Sequence, residues 1–363
     1  MTFLAWFIFS FALLRLAIAL VNLSTVKKMN KPGNDKHTLV SVLIPARNEE
    51  TGLPILLDSL ICQSHKHLEI IVYDDESTDG TQSVLREYVK QDSRIRYIEG
   101  SPLPEGWIGK NYACDQLAKA AEGDYLLFLD ADVETGPELI AQAIAYMEAK
   151  KVTLFSLFPV QKMHSFGEWM VVPLMNWILL TLLPLTLIRH TRRSSLSAAN
   201  GQFMMFQAAV YKKNLFHNKL KNERVEDIRI MRLMKSMEYR VDTLPGNDQI
   251  HCRMYNGFRE AVYGFSKNVT AYFGGSYWIT CMFVLLTALG WLPVLLAGPF
   301  GLFPAYLMIV ILTRLVVSLI SRQSQIKNTL LIPLQELSLV MIVVQAVINK
   351  LKSNYVWKGR HIG

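Results

Sequence analysis

Three short apolar runs, each stopping at a proline or an acidic residue, constrain this chain more than any other feature. Residues 39–44 end at Pro45, 68–73 at Asp74 and 125–129 at Asp130. Runs of this length, bounded by such breaks, read as strands buried on both faces. Helical patterns over 52–61 and 81–89 lie between them, and 152–158 adds a fourth run. Strands alternating with helices imply a parallel sheet with crossover connections. Ligands of such sheets bind in the crevice at the carboxyl ends of the strands. The polar strand ends are therefore where chemistry is expected.

The chain has 363 residues, room for one large α/β domain and more. Hydrophobic residues make up 51% and the mean hydropathy is positive, so part of it is expected in lipid. Residues 3–21 are nearly all apolar and give an N-terminal anchor over 1–24. Lys27, Lys28 and Lys31 follow, which by the positive-inside rule puts the next segment in the cytoplasm, at the cell membrane. A cleaved signal peptide fits less well: no basic residue precedes the run, and Ala17-Ile18-Ala19 lies inside it. Arg15 is expected to snorkel toward the cytoplasmic side.

A second apolar stretch, 168–188, is broken by Pro173 and Pro184. One crossing there would separate the acidic motifs before it from those after it, so an interfacial segment is expected, with a buried core helix as the alternative. Residues 251–274 read as an interfacial amphipathic helix and 275–350 as membrane segments at 277–297, 302–320 and 330–348. Gly298-Pro299-Phe300-Gly301 reads as a turn. The basic tail, 351–363, argues for a cytoplasmic end, whereas three crossings would place it outside. The conflict disappears if one of the three is re-entrant or interfacial.

The formal net charge of +8 suits an anionic membrane surface or phosphorylated substrates. There is no zinc-finger spacing and no long basic run, so no nucleic acid partner is expected. The four cysteines are scattered and form no C-x-x-C motif, which reads as free thiols in a reducing compartment.

Three motifs carry the chemistry. Pro45-Ala46-Arg47-Asn48-Glu49 follows the first strand, where a loop opening into a helix can hold a nucleotide on backbone N–H groups. Asp74 and Asp75 follow the second, and a carboxylate at a strand tip can accept the imide N–H of uracil or a ribose hydroxyl. Ser77 and Asp79, just beyond, also fit a helix cap. Asp130-Ala131-Asp132 follows the third, and two acids one residue apart project to the same side of an extended chain. Mg²⁺ or Mn²⁺ uses one or two carboxylates plus substrate phosphates, so the pair suits a metal on a diphosphate.

In order and position these motifs resemble the nucleotide-binding half of family 2 glycosyltransferases. The resemblance runs from the first strand to about residue 268. Gly106-Trp107-Ile108-Gly109-Lys110, Arg253-Met254-Tyr255, Gly264-Phe265-Ser266-Lys267-Asn268 and Trp357-Lys358-Gly359-Arg360 are similar to the carotenoid-acid (diaponeurosporenoate-type) glucosyltransferases, and more loosely to hopanoid-associated glycosyltransferases.

The resemblance implies a GT-A α/β fold: a mostly parallel central sheet flanked by helices over 36–250, with N- and C-terminal transmembrane helices. It implies that Pro45, Ala46, Arg47, Glu49 and Asp75 line the nucleoside of a nucleotide-sugar donor, most simply a UDP-sugar. Asp130 and Asp132 would bind ribose and a divalent cation, with Asp132 as metal ligand, and Lys110 would approach the donor. Glu226-Asp227 matches the position of the family's general base, with Gly201 and Gln202 upstream. An inverting transfer needs one base to take the acceptor's proton. Asp227 also fits an ordinary first-turn acid. Arg253, Arg259 and Lys267 flank the amphipathic helix and are expected to meet donor phosphate or a lipid headgroup. The Gln-x-x-Arg-Trp of processive synthases is missing, which points to transfer of one or a few sugars to a lipid acceptor. Two other classes compete: an inactive scaffold on the same fold, and a nucleotidyltransferase, which fits less well without a Gly-rich loop after the first strand.

Overall fold

The computed structural model describes residues 1–25, 29, 37–352, 356–357 and 360–361. Lys27, Lys28, Lys31 and Lys358 lie outside the described residues, as does Gly359 of the terminal motif.

Seven strands form the central sheet: β1 (Val40–Ala46), β2 (Leu68–Asp74), β3 (Ile95–Glu99), β4 (Tyr125–Leu129), β5 (Leu154–Phe158), β6 (Phe203–Gln207) and β7 (Val241–Pro245). Their order is β3-β2-β1-β4-β6-β5-β7. β6 runs antiparallel to both neighbours and the other pairings are parallel. The sheet is mixed because of β6 alone, which, like β3 and β7, is a strand that the apolar runs did not signal.

Both faces are covered, as continuous apolar strands require. Val42, Ile44, Ile70, Val72, Leu127 and Leu129 pack under helices Leu53–Ile61, Thr81–Gln91 and Leu139–Lys150. Leu43, Ile71, Tyr73, Leu126 and Phe128 face the other way, toward helix Gly109–Ala120 and helix Pro173–Leu182. That second core does not stop at the domain edge. It continues into Leu16, Ala19, Phe283, Val316, Val317, Leu339 and Ile342 of the long apolar helices.

Among the described residues, three helices are long and apolar enough to cross a membrane: Thr2–Thr25, Leu302–Ile320 and Ile332–Leu351. The stretch 277–297 is not one helix. It divides into Tyr277–Ala288 and Trp291–Ala297 around Leu289 and Gly290, and the first piece is bent by 103° from the preceding 258–273 segment.

Two of the apolar stretches are covered by protein. Within 168–188, Pro173 through Thr181 are all buried, as a core helix is. The apolar face of 251–274 likewise turns inward: in helix Phe258–Asn268, Ala261, Val262 and Phe265 are buried in the same core as Val171 and Leu339. In both cases the apolar stripe is satisfied by neighbouring helices, and periodicity cannot tell a protein neighbour from lipid.

Asn22, fully buried in the first helix, ties that helix to the domain. Its Nδ2 donates to the carbonyls of Leu180 and Leu183 at 2.8 and 2.9 Å, and its Oδ1 accepts from the Leu185 N–H at 2.8 Å. These three backbone groups flank Pro184, where the 173–182 helix ends. Asn22→Ala would orphan all three, at a cost of about 1–3 kcal/mol for each group left buried. The expected outcome is a lowered melting temperature in detergent that Asn22→Leu, which restores volume only, does not recover.

Candidate active site

The polar ends of β1, β2 and β4 stand side by side, because these strands are neighbours in register: Ala46 pairs with Asp74, and Leu43 with Phe128. The start of β6 joins them on the same edge, since antiparallel pairing sets Phe203 opposite Leu129. This brings Gly201 and Gln202 beside Asp130 and Asp132.

The loop after β1 is held by the loop after β2. Arg47 donates to the carbonyls of Asp75 and Glu76 and lies 3.9 Å from the Asp75 carboxylate. The N–H groups of Asn48, Glu49 and Glu50 donate to Ser77, Thr81 and Asp79. Asp79 thus bridges two loops, and Gly80 caps the helix without a side-chain bond. Asp75 is buried, with its N–H bonded to Ala46 O at 2.8 Å.

Lys110 joins acids from distant parts of the chain. Its Nζ lies 2.9 Å from Asp130 Oδ1 and 3.1 Å from Glu226 Oε1. These two carboxylates hold the Lys110 ammonium well above its ordinary pKa, although burial opposes them. A Cβ at Gly201 would stand 2.9 Å from this Nζ, so the glycine is what lets the backbone pass.

Asp132 sits beside a second, three-stranded sheet in which Val133 pairs with Cys252. Gln202 Nε2 reaches Cys252 Sγ at 2.7 Å and Asp132 Oδ2 at 3.4 Å. Asp132 Oδ1 is buried with no hydrogen-bond partner. Burial, then Asp130 and Glu49, raise the Asp132 pKa to about 7. An orphaned carboxylate oxygen held among like charges is a donor set that a cation would satisfy. Among the described residues no cluster of three or more His, Cys, Asp or Glu forms a complete metal cage.

Asp227 opens helix Glu226–Ser236. Its Oδ2 accepts from Gly201 N–H at 3.0 Å and its Oδ1 from Ile228 N–H at 2.7 Å. Burial and the adjacent Glu226 push its pKa up to about 7 despite those bonds. It lines a cavity of about 250 Å³ whose far wall is apolar. Met175, Ile178, Leu179 and Leu182, on one face of helix Pro173–Leu182, make that wall, and Tyr255 and Tyr272 close the side.

Most of the residues expected from sequence meet along this edge. Arg253, Arg259 and Lys267 make their contacts elsewhere: Arg253 lies 3.0 Å from the buried Glu168, Arg259 is exposed, and Lys267 stands over the Tyr263 ring. Three roles had no sequence signal: the Lys110–Glu226 link, Cys252, and Tyr272. Each depends on partners tens to more than a hundred residues away.

Lys110→Met leaves Asp130 and Glu226 facing one another without their cation. The expected loss is about 2–3 kcal/mol, at the low end for breaking a buried pair because the groups are partly exposed. Thermal melting of Lys110→Met/Glu226→Gln should recover part of it, since the two changes act on one contact.

Residues 41–218 match the family described as Glycosyl transferase family 2. The 4,4'-diaponeurosporenoate glycosyltransferase of Staphylococcus haemolyticus (strain JCSC1435) is 30% identical over 239 residues, 63% of this chain and 60% of that protein. The GalNAc(5)-diNAcBac-PP-undecaprenol beta-1,3-glucosyltransferase of Campylobacter jejuni is 33% identical over 133 residues, 36% of this chain and 38% of that protein. The match thus spans less than two thirds of either relative. The mannosyltransferase PcManGT from Pyrobaculum calidifontis, solved with GDP-Man and Mn²⁺, superposes with a TM-score of 0.58, covering 97% of this chain and 98% of that one at 17% identity, a likeness of fold. The segment from 41 to 218 is accordingly a glycosyltransferase family 2 domain, built on a GT-A-like α/β fold with apolar helices at both ends of the chain.

Proposed function

We propose that this chain is an inverting glycosyltransferase that moves a sugar from a nucleotide-diphosphate donor to a lipid acceptor at the membrane. The observation that carries this reading is the position of Asp227. It stands between a strand edge rich in carboxylates and a cavity with one aliphatic wall, lined elsewhere by polar groups that include Arg232 and Asn268, and its pKa is raised to about 7. A general base works best when its pKa lies near the working pH.

In this reading the loop of Pro45, Ala46, Arg47 and Glu49, with Asp75, receives the nucleoside, and a UDP-sugar suits the Asp75 carboxylate as acceptor of the imide N–H. Asp130 meets the ribose. Asp132 would hold a divalent cation through its orphaned Oδ1, with Asp130 nearby; the relative with Mn²⁺ lends support at the level of fold only. Such a cation supplies positive charge where the diphosphate departs. Lys110 positions Asp130 and Glu226 and adds its own charge beside the donor. Asp227 takes the proton from the acceptor hydroxyl or acid as that oxygen attacks the anomeric carbon. The aliphatic wall receives the acceptor's hydrocarbon and excludes water, which would otherwise compete as acceptor. The reading includes several spans and a cytoplasmic catalytic domain, supported by the three apolar helices and by Lys27, Lys28 and Lys31 after the first in the sequence.

Asp227→Asn should lower kcat by about 10²–10⁴-fold, the range for losing a general base, with donor affinity by calorimetry unchanged. Wild-type kcat should rise with pH through about 7, because the base acts only when deprotonated; a flat profile would remove Asp227 from the role. Chelation of divalent ions should weaken donor binding in the wild type and have little further effect in Asp132→Asn. If the wild-type chain neither transfers nor hydrolyses any sugar nucleotide, the inactive-scaffold reading returns.

A further inference from the structure

The helix Pro173–Leu182 has two working faces. One lines the cavity beside Asp227. The other presents Trp177 to a separate, larger cavity of about 590 Å³ among the long apolar helices. That second cavity is lined mostly by apolar side chains, with Thr287, Tyr306 and Thr313 among them and two charged ones, Arg15 and Glu336.

Charge does not balance around it. Arg15 and Arg314 both lie over the Trp177 ring, their guanidinium carbons 3.9 and 4.0 Å from its centroid. Arg314 pairs with Glu336 at 2.9 Å. Arg15 donates from Nε and Nη2 to Thr181 Oγ1, at 3.2 and 2.8 Å, and forms no ion pair among the described residues. Two cations against one carboxylate leave one positive charge over. Arg15 was expected to snorkel out, yet it is only 7% exposed. Glu336 Oε2 is buried with no hydrogen-bond partner. Buried charge without a counter-ion is costly in any apolar surrounding, and in a spanning bundle it marks a functional site by default.

The cavity's rim gives the direction of entry. Leu289, Trp291 and Leu337 line it and are 53%, 43% and 54% exposed. An occupant thus passes apolar surface first, which selects an amphiphile over a water-soluble ion.

We propose that this cavity binds a lipid through an anionic oxygen at Arg15, with a hydroxyl beside it donating to Glu336 Oε2. The site is separate from the sugar-transfer cavity and does not rest on the function proposed for it. Because both cavities share one helix, the bound lipid would brace the wall that faces Asp227.

The test uses the full chain in a neutral detergent with radiolabelled dioleoylphosphatidylglycerol, oleate and dioleoylglycerol. Phosphatidylglycerol, which has both the anion and the hydroxyl, should bind at least ten-fold more tightly than the neutral diglyceride. Oleate binding as well as phosphatidylglycerol would assign a carboxylate head; oleate binding weakly would assign phosphate with its hydroxyl. Arg15→Gln should lose ten-fold or more for the anion and nothing for the diglyceride. Leu337→Trp, which fills the rim without touching a charge or the Asp227 cavity, should lose binding of the anion even if Arg15→Gln fails to fold. Equal binding of diglyceride and anion, or wild-type anion affinity in a folded Arg15→Gln or in Leu337→Trp, would overturn the proposal.

Discussion

Carboxylates crowded onto one strand edge repel one another, and the rest of the site depends on how that repulsion is contained. Asp130 and Asp132 leave β4, while Glu226 and Asp227 open a helix nearly a hundred residues later. Lys110 is the tie between them, bonded to one acid from each group. Gly201 leaves room for that tie, because a side chain there would meet the ammonium. The backbone then turns its own N–H toward Asp227. Ion pair, glycine and N–H together hold the acids close without neutralising all of them.

The unneutralised ones are Asp132 and Asp227, both with pKa values raised from the ordinary carboxylate range to about 7. A folded state that holds protons more tightly than the unfolded chain loses stability as pH rises between the two pKa values. Here that window runs from about 4 to about 7, so at neutral pH these acids work against folding. Positive charge brought to Asp132 would relieve the cost. Such sites are where a protein accepts local instability in exchange for reactivity.

The helix Pro173–Leu182 connects this edge to the apolar helices. It is buried on every side because each face has a different neighbour. Its aliphatic face walls the cavity at Asp227, and its Trp177 face meets Arg15 and Arg314. Asn22 fixes its end. One continuous core therefore runs from the sheet into the long helices, and the domain is packed onto them instead of being hung from a linker.

The first, second and third apolar runs, and the proline and acids that end them, were legible in the sequence because strand length, burial and such breaks are local properties. So were helices Leu53–Ile61 and Thr81–Gln91 and the long apolar stretches at both ends, though not β3 or helix Gly109–Ala120. β6 and β7 were not legible: their short runs gain strand character from pairing with β4 and β5, which lie far away in sequence. The amphipathic stretches at 168–188 and 251–274 showed an apolar face but not what covers it, since lipid and protein satisfy such a face equally well. The acids themselves were set by sequence. Which of them share a lysine, which is left with an orphaned oxygen, and which looks into an apolar cavity were decided only when the chain closed on itself, because each of those states is defined by distance between residues that sequence keeps apart.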